Sequence, residues 1–246
     1  MNCCFIVPHY DHAGQFGRML PSLLAQGIPV IVVDDHSPAP ALAILEQQVL
    51  DVRLDITVIR HTKNCGKGAA VQSGLKAALQ AGYTHAVQVD ADGQHNLGDV
   101  ERLLAEAEAY PAAIICGEPQ FDRSAPSLRY YARYITLALS WVESLSTQIR
   151  DAMCGFRVYP LTLIVPLCEK AHMGNRMDFD PEILVRAAWR GIELRFVPVN
   201  VVYPEDGRSH FRYLRDNILI SWMHARLIVG LLLRLPVLLT RIWQKP

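Results

Sequence analysis

The chain has 246 residues, 51% of them hydrophobic, and 24 basic side chains balance 24 acidic ones. This length suits one large domain or one domain with an appendage, and the neutral balance argues against a nucleic-acid partner. The six cysteines lack the spacing of a structural metal site, and the apolar start, residues 3–7, is too short for a signal peptide. We therefore expect a cytoplasmic protein with reduced thiols.

Strands and helices alternate five times along the first half of the chain. Apolar runs predict strands at residues 2–7, 29–33, 56–60, 84–89 and 113–116, and amphipathic spacing predicts helices at residues 14–26, 41–50, 68–81 and 97–110. Such an order predicts an α/β fold, a mostly parallel sheet with helices on both faces. Right-handed crossovers then bring the loops that follow the strands to one edge.

The second half is less regular. We expect a long helix at residues 128–149, a strand at 158–159, a helix at 181–189 and two strand-like segments within 192–202.

The last forty residues form a basic and apolar tail. Residues 207–246 hold six Arg and one Lys against one Asp, a net of +6, so residues 1–206 carry −6. Because Arg226 and Arg234 interrupt the apolar stretch 218–239, we expect no membrane-spanning helix. Helical spacing places the arginines on one stripe, which favours a helix lying in a membrane interface beside anionic lipid. Packing on the body or in a homodimer interface is the alternative. The predicted boundary between a catalytic domain and this tail lies at residues 206/207.

Two carboxylates, Asp90 and Asp92, follow the fourth predicted strand. A spacing of two puts both side chains on one face of a regular strand, at the edge where open α/β sheets bind ligands. Oxygen ligands of this kind suit a hard cation, Mg²⁺ or Mn²⁺. Taken alone, the segment Asp-Ala-Asp-Gly is equally compatible with a polar turn.

Three other strand-end loops bring polar residues to the same edge. They contain Tyr10, Asp35, and the stretch Asn64–Gly68 with Lys67 at the start of a helix. Each of these stretches could simply form a turn or cap a helix. The helix start with Lys67 could also bind phosphate through its backbone N–H groups and the lysine. The glycine spacing matches neither a Walker loop nor a dinucleotide fingerprint.

Seven motifs occur in an order that resembles the family 2 glycosyltransferases, most closely the branch of dolichyl- and polyprenyl-phosphate sugar synthases. They are Val-Pro-x-Tyr (7–10), Val-Val-Asp-Asp (32–35), Asn-x-Gly-Lys-Gly (64–68), Asp-Ala-Asp-Gly-Gln-His (90–95), Asp-x-x-x-Gly-Phe-Arg-x-Tyr (151–159), Phe-x-x-Glu (179–182), and Val-Pro-Val (197–199) followed by Gly-x-Ser (207–209). This resemblance implies the Rossmann-like GT-A fold, a nucleotide-sugar donor and a divalent metal on the diphosphate.

The resemblance also implies roles for individual residues. The nucleoside is expected on Pro8, Tyr10, Asp35, Asn64 and Lys67, and the metal and diphosphate on Asp90, Asp92 and Gln94. We expect Asp92 to be the direct metal ligand and Asp90 to hold the ribose or a metal-bound water. Arg129 is a further candidate for the donor phosphates.

The family inverts the anomeric centre by direct attack, so a hydroxyl acceptor needs a general base. Asp151 is our first choice and Asp180 the second, while Glu182 is either a third acceptor-side acid or a first-turn acid of its helix. If the acceptor is a phosphate, no strong base is needed, and Asp151 would position the sugar or the acceptor.

The chain departs from the branch near its end. Residues 203–206, Tyr-Pro-Glu-Asp, stand where an Arg is usual, and His210 stands where a Lys is common. Both changes weaken the basic pocket expected for an acceptor phosphate, for which Arg208, Arg212 or Arg129 could compensate.

The expected activity is metal-dependent transfer of a hexose from a UDP- or GDP-sugar to a lipid or lipid-linked acceptor. We expect it on the inner face of the cytoplasmic membrane. The alternatives are a soluble transferase that acts on a saccharide or another hydroxyl compound, and a nucleotide-sugar-binding protein without turnover.

Overall fold

The computed structural model describes residues 1–52, 56–120, 127–201 and 212–243. The predicted domain boundary, the Gly-x-Ser motif with Arg208, and the positions 203–206 and 210 that depart from the branch lie outside the described residues. The side chain of Arg129 is likewise outside the description, although its backbone belongs to a helix.

Seven strands form one sheet in the order β3-β2-β1-β4-β6-β5-β7. Their bounds are β1 Cys3–His9, β2 Val30–Asp34, β3 Ile56–Arg60, β4 His85–Gln88, β5 Ile114–Gln120, β6 Arg157–Pro160 and β7 Leu194–Asn200. All neighbouring pairs are parallel except those that β6 makes with β4 and β5. The predicted, mostly parallel sheet is therefore confirmed, with one strand reversed.

Helices cover both faces of the sheet. Their bounds are α1 Ala13–Leu24, α2 Ala39–Val52, α3 Lys67–Gln80, α4 Val100–Ala109, α5 Ser127–Ser144, α6 Leu161–Lys170, α7 Phe179–Trp189 and α8 Tyr213–Trp243. Successive residues of β1 alternate between two cores, because a strand points neighbouring side chains to opposite faces. Cys4 and Ile6 pack with α3, α6, α7 and α8, whereas Phe5 and Val7 pack with α1 and α4.

Three predictions for the second half need correction. Helix α5 ends at Ser144 rather than at residue 149, because Leu145 adopts a left-handed backbone (φ 52°). Helix α6 was not predicted, since proline at position 166 and an apolar sequence hide its periodicity. The two strand-like segments within residues 192–202 are the single strand β7.

Two features of the long helix α8 bear on its predicted role. By length and composition, Tyr213–Thr240 suffices to cross a membrane, a test that a core helix of a soluble protein can also pass. Two arginines of the predicted lipid-facing stripe turn toward the protein: Arg226 donates to Glu182, 3.1 Å away, and Arg234 stacks 5.0 Å from the ring centre of Trp189. Both arginines therefore have partners within the protein, and the contact of the stripe with anionic lipid stays a prediction.

Candidate active site

A cavity of about 1130 Å³ opens where the strand-end loops meet α5 and α8. One half of its wall comes from these loops and the start of α3, and the other half comes from the two helices. The loop half holds many of the predicted donor-site residues: Pro8, Tyr10, Asp35, Asn64, Lys67, Asp90, Asp92 and Gln94. The topology thus brings together side chains from four loops, as expected.

A lysine bridges two carboxylates at the centre of this wall. Nζ of Lys67 lies 2.7 Å from Asp90 Oδ2 and 2.9 Å from Asp180 Oδ2. Burial alone would lower the pKa of Lys67, but Asp180 and Asp90 outweigh it and hold the pKa well above its usual value. Burial would likewise raise the pKa of Asp90, yet Lys67 lowers it to about 2. The lysine is therefore a fixed positive charge beside the predicted diphosphate site.

A buried polar network supports this cluster from inside the sheet. Gln88 donates to Asp90 over 3.3 Å and accepts from the hydroxyl of Tyr159 over 3.1 Å. The fully buried Arg157 donates to the backbone carbonyl oxygens of Asp180 (2.7 Å) and Ala152 (3.0 Å). Arg157 thereby ties the segment that carries Asp151 to the start of α7.

Asp90 and Asp92 lie in the loop after β4, which ends at Gln88, so the alternation of a strand does not set the directions of their side chains. Asp90 and Asp92 nevertheless both line the cavity. The Asp92 carboxylate accepts a hydrogen bond from the backbone N–H of Gln94, 3.0 Å away. A half-buried carboxylate with open coordination, beside a second one, is a donor set that fits Mg²⁺ or Mn²⁺.

The loop that holds Asp35 is built on backbone contacts. Its carboxylate accepts from the N–H groups of Cys65 (2.8 Å) and Gly66 (2.6 Å), and it lies 2.8 Å from Nδ1 of His61. Gly66 has a φ of 106°, and a Cβ there would lie 2.4 Å from the carbonyl oxygen of Asn175. Glycine is therefore required for this approach of two loops.

Sequence reasoning missed Arg176, which lines the cavity and donates to Asn64 Oδ1 over 3.1 Å. It follows no strand and belongs to none of the recognised motifs, so the sequence carried no signal for it.

The three candidate catalytic acids do not form part of the cavity wall. Asp151 is ion-paired with Arg133 and accepts from the N–H groups of Met153 (2.9 Å) and Cys154 (2.7 Å). Asp180 lies directly behind Lys67. Asp151 and Asp180 are thus one side chain removed from the cavity.

Glu182 is fully buried and has several partners. Arg186 lies 2.6 Å from one carboxylate oxygen and Arg226 3.1 Å from the other, which also accepts from the N–H of Gly174 over 2.7 Å. These contacts join α7 to α8 and indicate a structural ion-pair cluster.

The helical half of the cavity is apolar and basic. Ile135, Leu139, Ile220 and Ile228 are among its apolar residues, and its ionisable residues are Arg133, Arg212, Arg215, Asp216 and His224. Asp216 accepts from the backbone N–H of Arg212 over 2.7 Å and so caps the start of α8. The departures at positions 203–206 and 210 weaken the expected basic pocket. Arg212 and Arg215 supply positive charge to the cavity wall in their place.

Comparison with known families identifies the chain. The family model described as "Glycosyl transferase family 2" matches residues 4–160, well over half of the sequence. The chain belongs to glycosyl transferase family 2. The predicted resemblance is thereby confirmed, and this family 2 protein is a glycosyltransferase.

Characterised relatives lie in the predicted branch. The chain is 23% identical to the UDP-N-acetylglucosamine–dolichyl-phosphate N-acetylglucosaminyltransferase of Methanococcus voltae, over 81% of this chain and 85% of that protein. It is 26% identical to the polyprenol monophosphomannose synthase of Mycolicibacterium smegmatis (74% and 69%). It is 29% identical to the human dolichyl-phosphate beta-glucosyltransferase (70% and 55%).

Solved structures confirm the GT-A fold. The glucosyl-3-phosphoglycerate synthase of Mycobacterium tuberculosis, solved with Mn²⁺, UDP-glucose and phosphoglyceric acid, aligns with a TM-score of 0.64 at 15% identity, covering 95% of this chain and 79% of that one. A mannosyltransferase of Pyrobaculum calidifontis, solved with GDP-mannose and Mn²⁺, aligns with a TM-score of 0.55 at 17% identity (84% and 58%).

Proposed function

We propose that this family 2 glycosyltransferase moves a hexose from a UDP- or GDP-sugar to the phosphate of a membrane lipid. The composition of the helical half of the cavity carries the proposal. Among the described residues there, the one carboxylate is Asp216, and it caps its own helix. Arg133, Arg212 and Arg215 face an acceptor space whose other residues include Ile135, Leu139, Ile220, Ala225 and Ile228, a mixture that suits an anionic head on a hydrocarbon chain.

A phosphate acceptor also fits the positions of Asp151 and Asp180. A hydroxyl acceptor would need a base within hydrogen-bond reach, whereas a phosphate is already ionised at neutral pH. Asp151 holds Arg133 at the cavity wall, and Asp180 holds Lys67. Both acids then act by positioning cations, and neither has to take a proton.

On the donor side, charge develops on the leaving nucleoside diphosphate as the glycosidic bond breaks. Lys67 is a fixed ammonium group at this point, and fixed charges stabilise developing charge without reorganisation. Asp92, with Asp90, would hold Mg²⁺ or Mn²⁺, which neutralises the diphosphate oxygens when bound. Asp35 and Asn64 would hold the nucleoside, and Gln94 would border the diphosphate.

An apolar surface favours action at a membrane. On α8, the residues from Ile218 to Leu233 that are exposed are all apolar except Ser221, with Trp222 63% and Leu233 77% exposed. The exposed residues 134–142 of α5 are also apolar. Patches of this kind mark membrane or protein contacts. The six cysteines are all free, which suits the cytoplasmic face.

The test is a transfer assay with radiolabelled UDP- and GDP-sugars, Mn²⁺, and two acceptors that differ in one group: farnesyl phosphate and farnesol. We expect transfer to farnesyl phosphate alone. Transfer to farnesol or to free saccharides, with none to farnesyl phosphate, would refute the proposal and favour the soluble hydroxyl-acceptor enzyme.

Co-sedimentation with anionic lipid vesicles tests the membrane step separately. The double variant Leu232→Glu, Leu233→Glu should remain in the supernatant, and Glu101→Gln, an exposed change on α4, should sediment like the parent. Equal sedimentation of all three proteins would exclude the α8 surface as the docking face.

A further inference from the structure

Three side chains of different ligand type converge behind the donor half of the cavity. A carboxylate oxygen of Asp35, a ring nitrogen of His61 and the sulfur of Cys65 all lie within 4.8 Å of one another. Asp35 follows β2, His61 follows β3 and Cys65 precedes α3, so all three lie at the same edge of the sheet. The transfer chemistry proposed above uses only Asp35.

The local hydrogen bonds hold these groups in place. Backbone N–H groups of Cys65 and Gly66 fix the Asp35 carboxylate. His61 lies between two oxygens, with Nδ1 2.8 Å from Asp35 Oδ1 and Nε2 2.9 Å from Ser73 Oγ. When Nε2–H donates to Ser73, the Nδ1 lone pair faces the carboxylate, and a cation between them satisfies both atoms. An outer hydrogen-bond acceptor that fixes the orientation of a ligating imidazole is a common feature of metal sites, and the Ser73 hydroxyl can serve as one here.

The donor set indicates which cation would bind. Imidazole, thiolate and carboxylate together are ligands for Zn²⁺, whereas the all-oxygen pair Asp90 and Asp92 suits a hard ion. Zinc bonds of about 2.0–2.3 Å place tetrahedral ligand atoms roughly 3–4 Å apart. A spread of at most 4.8 Å therefore closes with small side-chain rotations. Three protein ligands leave the fourth position to water.

We propose that Asp35, His61 and Cys65 form a Zn²⁺ site that inhibits the enzyme. On binding, the Cys65 thiol loses its proton to solvent and its sulfur ligates the metal. Asp35 also lines the cavity, so the metal occupies the carboxylate expected to hold the donor nucleoside. The inhibition rests on the proposed function, but the metal binding does not.

Cobalt replaces zinc in the binding test, because a Co²⁺–thiolate bond gives a near-ultraviolet charge-transfer band. We expect the full-length protein to show this band and to lose it when Zn²⁺ is added. Cys65→Ser should abolish the band. Cys168→Ser, at another half-buried cysteine, and Asp92→Asn, in the oxygen site, should retain it.

Competition between metal and donor is the second measurement, made without cobalt. At a free Zn²⁺ concentration about ten times its own Kd, competition should raise the apparent Kd of the nucleoside diphosphate about tenfold in the parent and leave it unchanged in Cys65→Ser. His61→Asn should weaken Zn²⁺ binding, because it removes the imidazole ligand.

The outcomes separate the two ideas. A thiolate band that persists in Cys65→Ser would refute the site. The expected band with no effect of Zn²⁺ on nucleotide binding would refute its inhibitory role. Absence of nucleotide binding without Zn²⁺ would contradict the proposed function and leave the metal site standing.

Discussion

Adding one methyl group at Gly155 should damage catalysis far more than folding. A Cβ at this position would lie 2.6 Å from Gln88 Nε2, 2.8 Å from Lys67 Nζ and 2.9 Å from Asp90 Oδ2. Comfortable contacts between heavy atoms are about 3.5–4.0 Å, so each of these polar tips must retreat by roughly 1 Å.

We expect a small loss of unfolding free energy and a large loss of kcat/KM. Side-chain tips can shift at little cost to folding, whereas catalysis requires the reacting groups to keep their positions. Overpacking costs about 1–3 kcal/mol, and we expect the lower half of that range for Gly155→Ala. A displacement of about 1 Å at reacting groups costs about 10²-fold. We therefore expect kcat/KM for sugar transfer to fall about 10²-fold while most of the stability remains.

Urea unfolding and transfer kinetics, measured on the same preparation, test this prediction. Gly14→Ala is the matched control, because a Cβ there meets nothing within 4 Å. It should keep full activity and change stability by less than about 1 kcal/mol. Activity of Gly155→Ala within twofold of the parent would show that the position of Lys67 is not critical.

Three shorter predictions concern other parts of the site. Gly68→Ala should lower the free energy of unfolding in urea by about 2–3 kcal/mol. Its Cβ would lie 2.5 Å from Phe179 Cβ and 2.8 Å from the backbone oxygen of Gly174, which cannot retreat. A loss below about 1 kcal/mol would contradict this packing. Asp92→Asn should abolish the extra thermal stabilisation that Mn²⁺ adds to a nucleotide sugar, and an unchanged shift would refute the metal assignment. Burial raises the pKa of Cys116 and Cys154 to about 12, so native protein at pH 8 should resist iodoacetamide at both, and mass spectrometry of labelled peptides would detect any failure.

The donor half of the site was predictable from sequence because its signals are local. Asp35, Lys67 and Asp90 each follow or precede an apolar run that reads plainly as a strand or helix, and parallel strands deliver such residues to one edge. The end of β4 was harder to predict from the sequence. Asp90 and Asp92 share the cavity wall through a turn and not through the alternation of a strand, since β4 stops at Gln88.

The helical half could not be predicted in the same way, because it depends on contacts between distant segments. The arginine spacing of α8 is equally compatible with a stripe toward lipid and a stripe toward protein. In the structure the buried carboxylate of Glu182 pairs with Arg226, and the exposed Arg234 lies over the ring of Trp189. Neither partner can be inferred from the period of α8 alone. The 206/207 domain division stays a prediction.

The reversed strand β6 explains how the second half of the chain reaches the loop half of the cavity. In a parallel sheet the loops after the strands form the binding edge, but an antiparallel strand presents its beginning there. Arg157, the first residue of β6, is paired with Gln88, the last residue of β4. The segment that precedes β6 therefore arrives beside Lys67 and Asp90, and it carries Gly155 and Asp151. One reversal of strand direction thus links the ion pair of Asp151 with Arg133 to the cluster of Lys67 and Asp90, with Arg157 as the buried connection.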